Sequence, residues 1–222
     1  MPPFRDEELL IDVVARLIGD ARHVAVGNAS PIPAAAALLA RARGGGRPYV
    51  SLLQSRKHNF FTDGGRELFD CAGQGRVDVF FLSGGEIDGE GSINLVGLGD
   101  HDAPRVRFPG SFGAGYLYYV VPKVILFRTE HSRRTLVPKV DFVTAPGTSA
   151  PSVRRSGGPV ALVTNRCLFA FDHPQAVAET PAPSAATLAT LRDVVARELA
   201  EVYPRFTAAV FDRGHDSHRM PA

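Results

Sequence analysis

The run Val77-Asp-Val-Phe-Phe-Leu82 constrains this chain most. It is nearly continuous in apolar residues, with no alternation of polar and apolar positions. A strand of that kind must be covered on both faces, and parallel sheets flanked by helices provide that cover. The segments before it alternate to match. Asp6 to Ile18 sets Leu10, Val13, Val14, Leu17 and Ile18 at helical spacing, with acidic residues in the first turn where the helix dipole favours them. His23 to Gly27 reads as a short buried strand. Ser30 then reads as an N-cap and Pro33 as a first-turn proline of an Ala-rich helix that runs to about Arg43 and stops at Gly44-Gly45-Gly46.

The alternation continues. Tyr49 to Leu53 is a second strand, Arg56 to Gly65 a polar loop and Arg66 to Ala72 a short helix. Strand, helix and strand in succession imply parallel pairing with right-handed crossovers. Further strands are expected at Ile93 to Gly99, Lys123 to Arg128 and Val140 to Thr144, and a hairpin over Val160 to Phe171 turning at Asn165-Arg166. Thr148 to Gly158 is an exposed loop by composition, and Pro174 to Ser184 a Pro/Ala-rich linker. Ala185 to Tyr203 is a helix with Leu188, Leu191, Val195 and Leu199 on one stripe, and the tail 213–222 is polar and frayed. The expectation is one α/β domain over 1–222, an open, largely parallel sheet with helices on both faces and a C-terminal helix at 185–203 docked on it.

Composition removes several function classes. A net charge of +2 is too small to argue for nucleic acid. No apolar stretch reaches the length of a membrane span, and Leu9 to Ile18 is interrupted by Asp12 and Arg16, so it is no signal peptide. Cys71 and Cys167 are far apart and not at metal-ligand spacing, which reads as reduced thiols in a cytoplasmic protein with no metal site.

Three segments carry candidate chemistry. The turn Val26-Gly27-Asn28-Ala29-Ser30-Pro31-Ile32-Pro33 joins a strand to a helix, the usual place for a ligand in an open α/β sheet. A plain strand–helix connection is the competing reading, and Gly-x-Gly-x-x-Gly is absent. In Ile87-Asp88-Gly89-Glu90-Gly91-Ser92-Ile93-Asn94, Asp88 and the glycines form a tight turn that Asn94 is placed to hydrogen-bond, a structural hairpin. The third, Gly110-Ser111-Phe112-Gly113-Ala114-Gly115, is the strongest chemical candidate. Small residues let a backbone approach a ligand and present N–H groups to charge developing on it.

The last two segments together resemble the β-type subunit of class I coenzyme A transferases, the glutaconate CoA-transferase type. The resemblance extends through Lys123 to Gly147 and is most specific from Gly75 to Gly147. It implies a hetero-oligomer, such as α2β2, with an α-type subunit acting on an acyl-CoA. Coenzyme A enters as part of the substrate, with no covalently bound cofactor. Ser111, Phe112, Gly113 and Ala114 would form the oxyanion loop, Phe112 standing where the family has a glycine. Gly27, Asn28, Ala29, Ser30, Leu52, Gln54, Gly110 and Gly115 would contact substrate. Arg133 and Arg134 read as an exposed charge cluster, with CoA phosphates or an intersubunit contact as alternatives, and Glu130 as their ion-pair partner.

One element of the family pattern is missing. The transferase glutamate, which attacks the thioester, would fall within Val50-Ser51-Leu52-Leu53-Gln54-Ser55, where there is no acidic residue. Ser51 or Ser55 would need a base beside it, and His58 is near Ser55 in sequence. Two branches of the superfamily lack that glutamate: ring-cleaving acyl-CoA hydrolases, which use a glutamate of the α-type partner, and a decarboxylase with a cysteine in its β-type subunit. No cysteine stands near Leu52. The resemblance therefore implies a decarboxylase or hydrolase subunit; the alternatives are a non-catalytic partner of the α-type subunit and a transferase with a displaced carboxylate.

Overall fold

The computed structural model describes residues 4–171 and 181–211. Its core is a six-stranded sheet of β1 (His23–Val26), β2 (Tyr49–Leu52), β3 (Val79–Leu82), β8 (Lys123–Arg128), β9 (Pro159–Thr164) and β10 (Leu168–Ala170), in the order β10-β9-β8-β3-β1-β2. All neighbours are parallel except β9 and β10, the hairpin expected around Asn165. Strand order reverses between β1 and β3, since β2 lies on one side of β1 and every later strand on the other.

Alternate residues of each central strand feed two cores. Val24, Val26, Val79, Phe81 and Ile125 face α1 (Asp6–Ile18), α2 (Pro31–Arg43) and α5 (Ala185–Val194). Ala25, Phe80, Val124 and Leu126 face α3 (Gly64–Gly73) and α4 (Ala114–Val120). Burying one large aliphatic side chain contributes roughly 1.5–3 kcal/mol, so both faces of the sheet need a helix layer, as the uninterrupted apolar runs require. The helices on the first face are clamped by two buried carboxylates. Asp12 on α1 accepts from Arg16 and, at 2.7 Å, from Arg43 on α2. Glu8 on α1 accepts from Arg192 on α5 at 2.6 Å.

Several expectations are revised. The strand over Ile93 to Gly99 breaks into β5 (Ile93–Asn94) and β6 (Gly97–Gly99). The Asn94 side chain causes the break: its carbonyl accepts from the amides of Val96 and Gly97, and its amide donates to the Gly97 carbonyl at 2.7 Å. Asn94 thus shapes the turn after it rather than the Asp88 turn before it. That earlier turn is held by Asp88, whose carboxylate accepts from Glu90 and Ser92, and it closes the pair β4 (Glu86–Ile87) and β5. Val140 to Thr144 forms no strand. The Asp141 amide is spent on the Glu86 carboxylate at 2.8 Å and the Thr144 hydroxyl on the Leu95 amide, leaving single-residue pairing of Ala145 with Ile93.

Strand β7 (Pro104–Arg107) and helix α4 were not expected from the sequence. The C-terminal helix passes through a π-helical turn, Val195–Leu199, and is followed by α6 (Pro204–Phe211). The tail 213–222 and most of the linker at 174–184 lie outside the described residues. No helix among the described residues is long and apolar enough to cross a membrane.

Candidate functional site

A cavity of about 770 Å³ opens at the carboxyl ends of β1, β2, β3 and β8. That is where strand order reverses and where open α/β sheets leave a crevice between diverging loops. Its size falls in the range of small-molecule sites. One wall is Gly27 to Pro33, leaving β1. Leu53 and Asn59 follow β2, Gly64 and Gly65 open α3, and Phe80 to Ser83 end β3. Ser111 and Phe112 come from the glycine-bearing loop, and Phe127, Arg128 and Thr129 from the end of β8.

The lining is apolar and hydroxyl- or amide-bearing with one exception. Arg128 is its single ionisable residue, and no Asp or Glu lines it among the described residues. The guanidinium of Arg128 is held at 3.2 Å by Glu130. Glu130 also accepts from the Ser132 hydroxyl at 2.7 Å and from Arg134 at 2.9 Å. The Ser132 hydrogen bond first, with those from Arg134 and Arg128 behind it, brings its pKa down to about 2 against the opposing cost of burial. Glu130 is therefore the ion-pair partner the sequence indicated and stays charged at any ordinary pH. Arg133 and Arg134 are both exposed.

The two glycine-bearing turns differ in what they offer a ligand. Along Gly27 to Pro33 the amides of Gly27 and Asn28 have no partner among the described residues, while most of the others are absent or occupied. Pro31 and Pro33 have no N–H. The Ala29 amide donates to Gln54 Oε1 at 2.6 Å, Ser30 N to the Tyr203 hydroxyl at 3.4 Å and Ala34 N to the Ser30 carbonyl at 2.9 Å. In the Gly110 loop, the amides of Gly110 and Ala114 are taken by the carbonyls of Leu95 and Ser111. Those of Ser111, Phe112 and Gly113 have no hydrogen-bond partner among the described residues. Gly113 sits at φ 75°, and a Cβ there would lie 2.5 Å from Cζ of Phe69, so the turn requires glycine twice over.

Of the residues singled out in the sequence, Gly27, Asn28, Ala29, Ser30, Ser111 and Phe112 line the cavity. Gly110, Gly113, Ala114 and Gly115 do not line it; Gly113 caps α4 and Ala114 begins it. Leu52 is buried in the first core, and Gln54 holds the Ala29 amide instead of facing the cavity. Leu53, Asn59, Arg128 and Thr129 were missed. Arg128 ends an apolar strand of an open sheet, which is a signal the sequence carried.

The serines near the missing glutamate are structural in their contacts. Ser55 accepts from the backbone amide of His58, while the His58 ring turns to Glu198 at 2.8 Å, so the two form no nucleophile–base pair. Ser51 meets a different imidazole. His23 Nδ1 lies 2.9 Å from the Arg76 carbonyl and must donate to it, so Nε2 accepts the Ser51 hydroxyl at 2.9 Å. Burial holds the His23 pKa below the usual imidazole value, outweighing the opposing pull of the Arg76 carbonyl and Asp78. The pair has the hydrogen-bond order of a Ser–His dyad, but Ser51 is fully buried and does not line the cavity.

Cavity position and loop geometry define an α/β protein with a cavity of small-molecule size at the sheet's topological switch point. Comparison with known proteins gives the family: the coenzyme A transferase model matches residues 8–180, and the chain belongs to that family. It is 35% identical over 101 residues to the B subunit of 3-oxoadipate CoA-transferase from Pseudomonas knackmussii, a match covering 43% of this chain and 38% of that protein. It is 34% identical over 101 residues to the B subunit of glutaconate CoA-transferase from Acidaminococcus fermentans, covering 42% and 37%. The matched stretches thus span well under half the length of these relatives. Among solved structures, the decarboxylase AibA/AibB superposes with a TM-score of 0.67 at 28% identity, over 85% of this chain and 94% of the other.

Proposed function

We propose that this chain is the β-type subunit of a hetero-oligomeric enzyme that acts on an acyl-CoA thioester by decarboxylation or hydrolysis and not by CoA transfer. The observation that carries the reading is the cavity lining, in which Arg128 is the single ionisable group and carboxylates are absent among the described residues. A transferase glutamate must reach the thioester carbon, and nothing in this lining can take that role. Likeness to the decarboxylase AibA/AibB over most of the chain supports the same reading.

The amides of Ser111 and Phe112, the two loop residues that line the cavity, are suited to the thioester oxygen. In a decarboxylation the bond between the acyl chain and its carboxylate breaks. The electron pair moves into the thioester as an enolate, carbon dioxide leaves, and a proton then adds to carbon. In a hydrolysis, water adds to the thioester carbon and CoA leaves as the thiol. Both routes build negative charge on the same oxygen, where preorganised N–H donors lower the barrier. Arg128 would receive a second carboxylate carried by the acyl group, as in the acids for which the two relatives are named. Any general base or nucleophile would come from the α-type partner.

The test is to co-purify the chain with an α-type CoA-transferase subunit and supply a dicarboxylic acyl-CoA. Release of carbon dioxide or free CoA is expected. A trapped covalent enzyme–CoA thioester on this chain would instead establish a transferase with a displaced carboxylate. The missing carboxylate also favours a second reading, in which the chain only builds a wall of its partner's site. Turnover that survives bulky replacements at both Ser111 and Gly113, in an intact complex, would select that reading.

A further inference from the structure

We propose that Phe112 sets the upper size of the acyl group the cavity admits. This specificity role rests on the acyl-CoA reading above. Ala29 and Phe112 are the two non-glycine residues at positive φ among those described, at 51° and 39°, and both line the cavity. A left-handed conformation is costly for any residue with a Cβ, and such strain persists where the surroundings enforce it. Burial does not offset that cost at Phe112. The residue is 71% exposed, the most of any large hydrophobic residue described.

Two other positions are fitted to the ring. It lies 5.7 Å from Phe69, centroid to centroid. A Cβ on Gly65 would stand 2.8 Å from its Cζ, so the first turn of α3 is left bare where the ring crosses it. Phe69 in turn occupies the space a side chain on Gly113 would need. Gly64 and Gly65 line one side of the cavity, and Ser111 and Phe112 another. The ring therefore bridges two walls that would otherwise stand apart. A short linear acyl group passes beneath such a bridge, whereas a branched or cyclic one meets it.

Two variants separate the ring from its backbone. Phe112→Gly removes the ring, keeps the amide and relieves the positive φ. Gly65→Ala keeps Phe112 but displaces its ring by direct collision. Both are measured as complexes with the α-type subunit, using a short linear acyl-CoA and a cyclic acyl-CoA with the same terminal carboxylate. Phe112→Gly is expected to raise the cyclic-to-linear ratio of kcat/KM about tenfold or more, the discrimination a pocket wall provides, and Gly65→Ala to raise it by less. An unchanged ratio in Phe112→Gly, with the wild type active, overturns this inference and leaves the acyl-CoA reading standing. Equal loss on both substrates, with a weakened complex by sedimentation, also overturns it and makes the ring an intersubunit contact. A wild-type complex inert toward both thioesters overturns the acyl-CoA reading and this inference together.

Discussion

The two ends of the parallel sheet differ in how completely they pair their polar groups. At the amino ends the polar side chains find partners within the chain. Asp78, just before β3, accepts from the Arg22 guanidinium at 2.7 Å and from the backbone amides of Arg22 and His23. Those bonds, the Arg22 side chain first, hold its pKa below the usual carboxylate range. His23, the first residue of β1, and Ser51, in the second half of β2, satisfy each other, and Lys123 Nζ donates to the carbonyls of Leu17 and Ile18, each at 3.2 Å. At the carboxyl ends closure is incomplete: three backbone amides of the Gly110 loop have no partner among the described residues, and Arg128 lines the cavity while paired with Glu130. A serine beside a histidine within the sheet is thus architecture, while the proposed chemical resource is plain peptide N–H groups at the open end. Hydrogen-bond closure, more than residue type, separates the two.

The contrast can be broken most sharply at Gly113. Replacing it with valine drives a Cβ into Phe69 and strains a positive φ, which rearranges the unpaired amides. Turnover by the complex should fall about 100-fold or more, the scale of losing an oxyanion donor, while gel filtration still shows the heteromer. Retained turnover would make the open end as inert as the closed one. Next is Arg128→Gln. A charged hydrogen bond is worth roughly 1.5–3 kcal/mol, so kcat/KM for a dicarboxylic thioester should drop about 10- to 100-fold, with a monocarboxylic thioester little affected.

The closed end should answer in stability and not in rate. Ser51→Ala strips the half-buried His23 ring of its donor and should cost about 1 kcal/mol in urea unfolding with unchanged turnover. Changed turnover would move the Ser–His pair into the chemistry. The smallest expected effect is on pH. The folded state keeps His23 neutral, its pKa below the ordinary value of about 6.5. Between the two values the unfolded chain binds the proton and the folded chain does not. Stability is therefore undiminished above the ordinary value, declines as pH falls from there towards the folded one, and levels off below it. His23→Gln should flatten that acid decline in the urea midpoint relative to wild type.

The sheet was legible because its signal is dense. Runs such as Val79 to Leu82 and Val124 to Phe127 cannot be stable unless covered on both sides. What escaped was decided by single side chains. Asn94 diverts two backbone amides and cuts a strand that periodicity alone would extend. Pro104 to Arg107 pairs at the surface, so no buried face marks it. Helix α4 opens with Ala114-Gly115, and its first residue is buried by tertiary packing that local propensity does not encode. At the site, the Gly110 loop was found through its small residues, yet which of its amides are spent depends on Leu95 and on the turn itself. The partnership of His23 with Ser51 crosses two neighbouring strands and lies beyond any reading of spacing along the chain.

Glu198 lies in the π-helical turn and grips both Lys57 and the His58 ring, residues of the loop that carries Asn59 to the cavity wall. That makes the helix through this turn a tie-rod for the cavity, fastened to a segment 140 positions earlier. A shortened chain ending before this turn would retain all six main strands and lose the anchor of one wall, so recovery of native sheet content by circular dichroism would be no evidence that the chamber had re-formed.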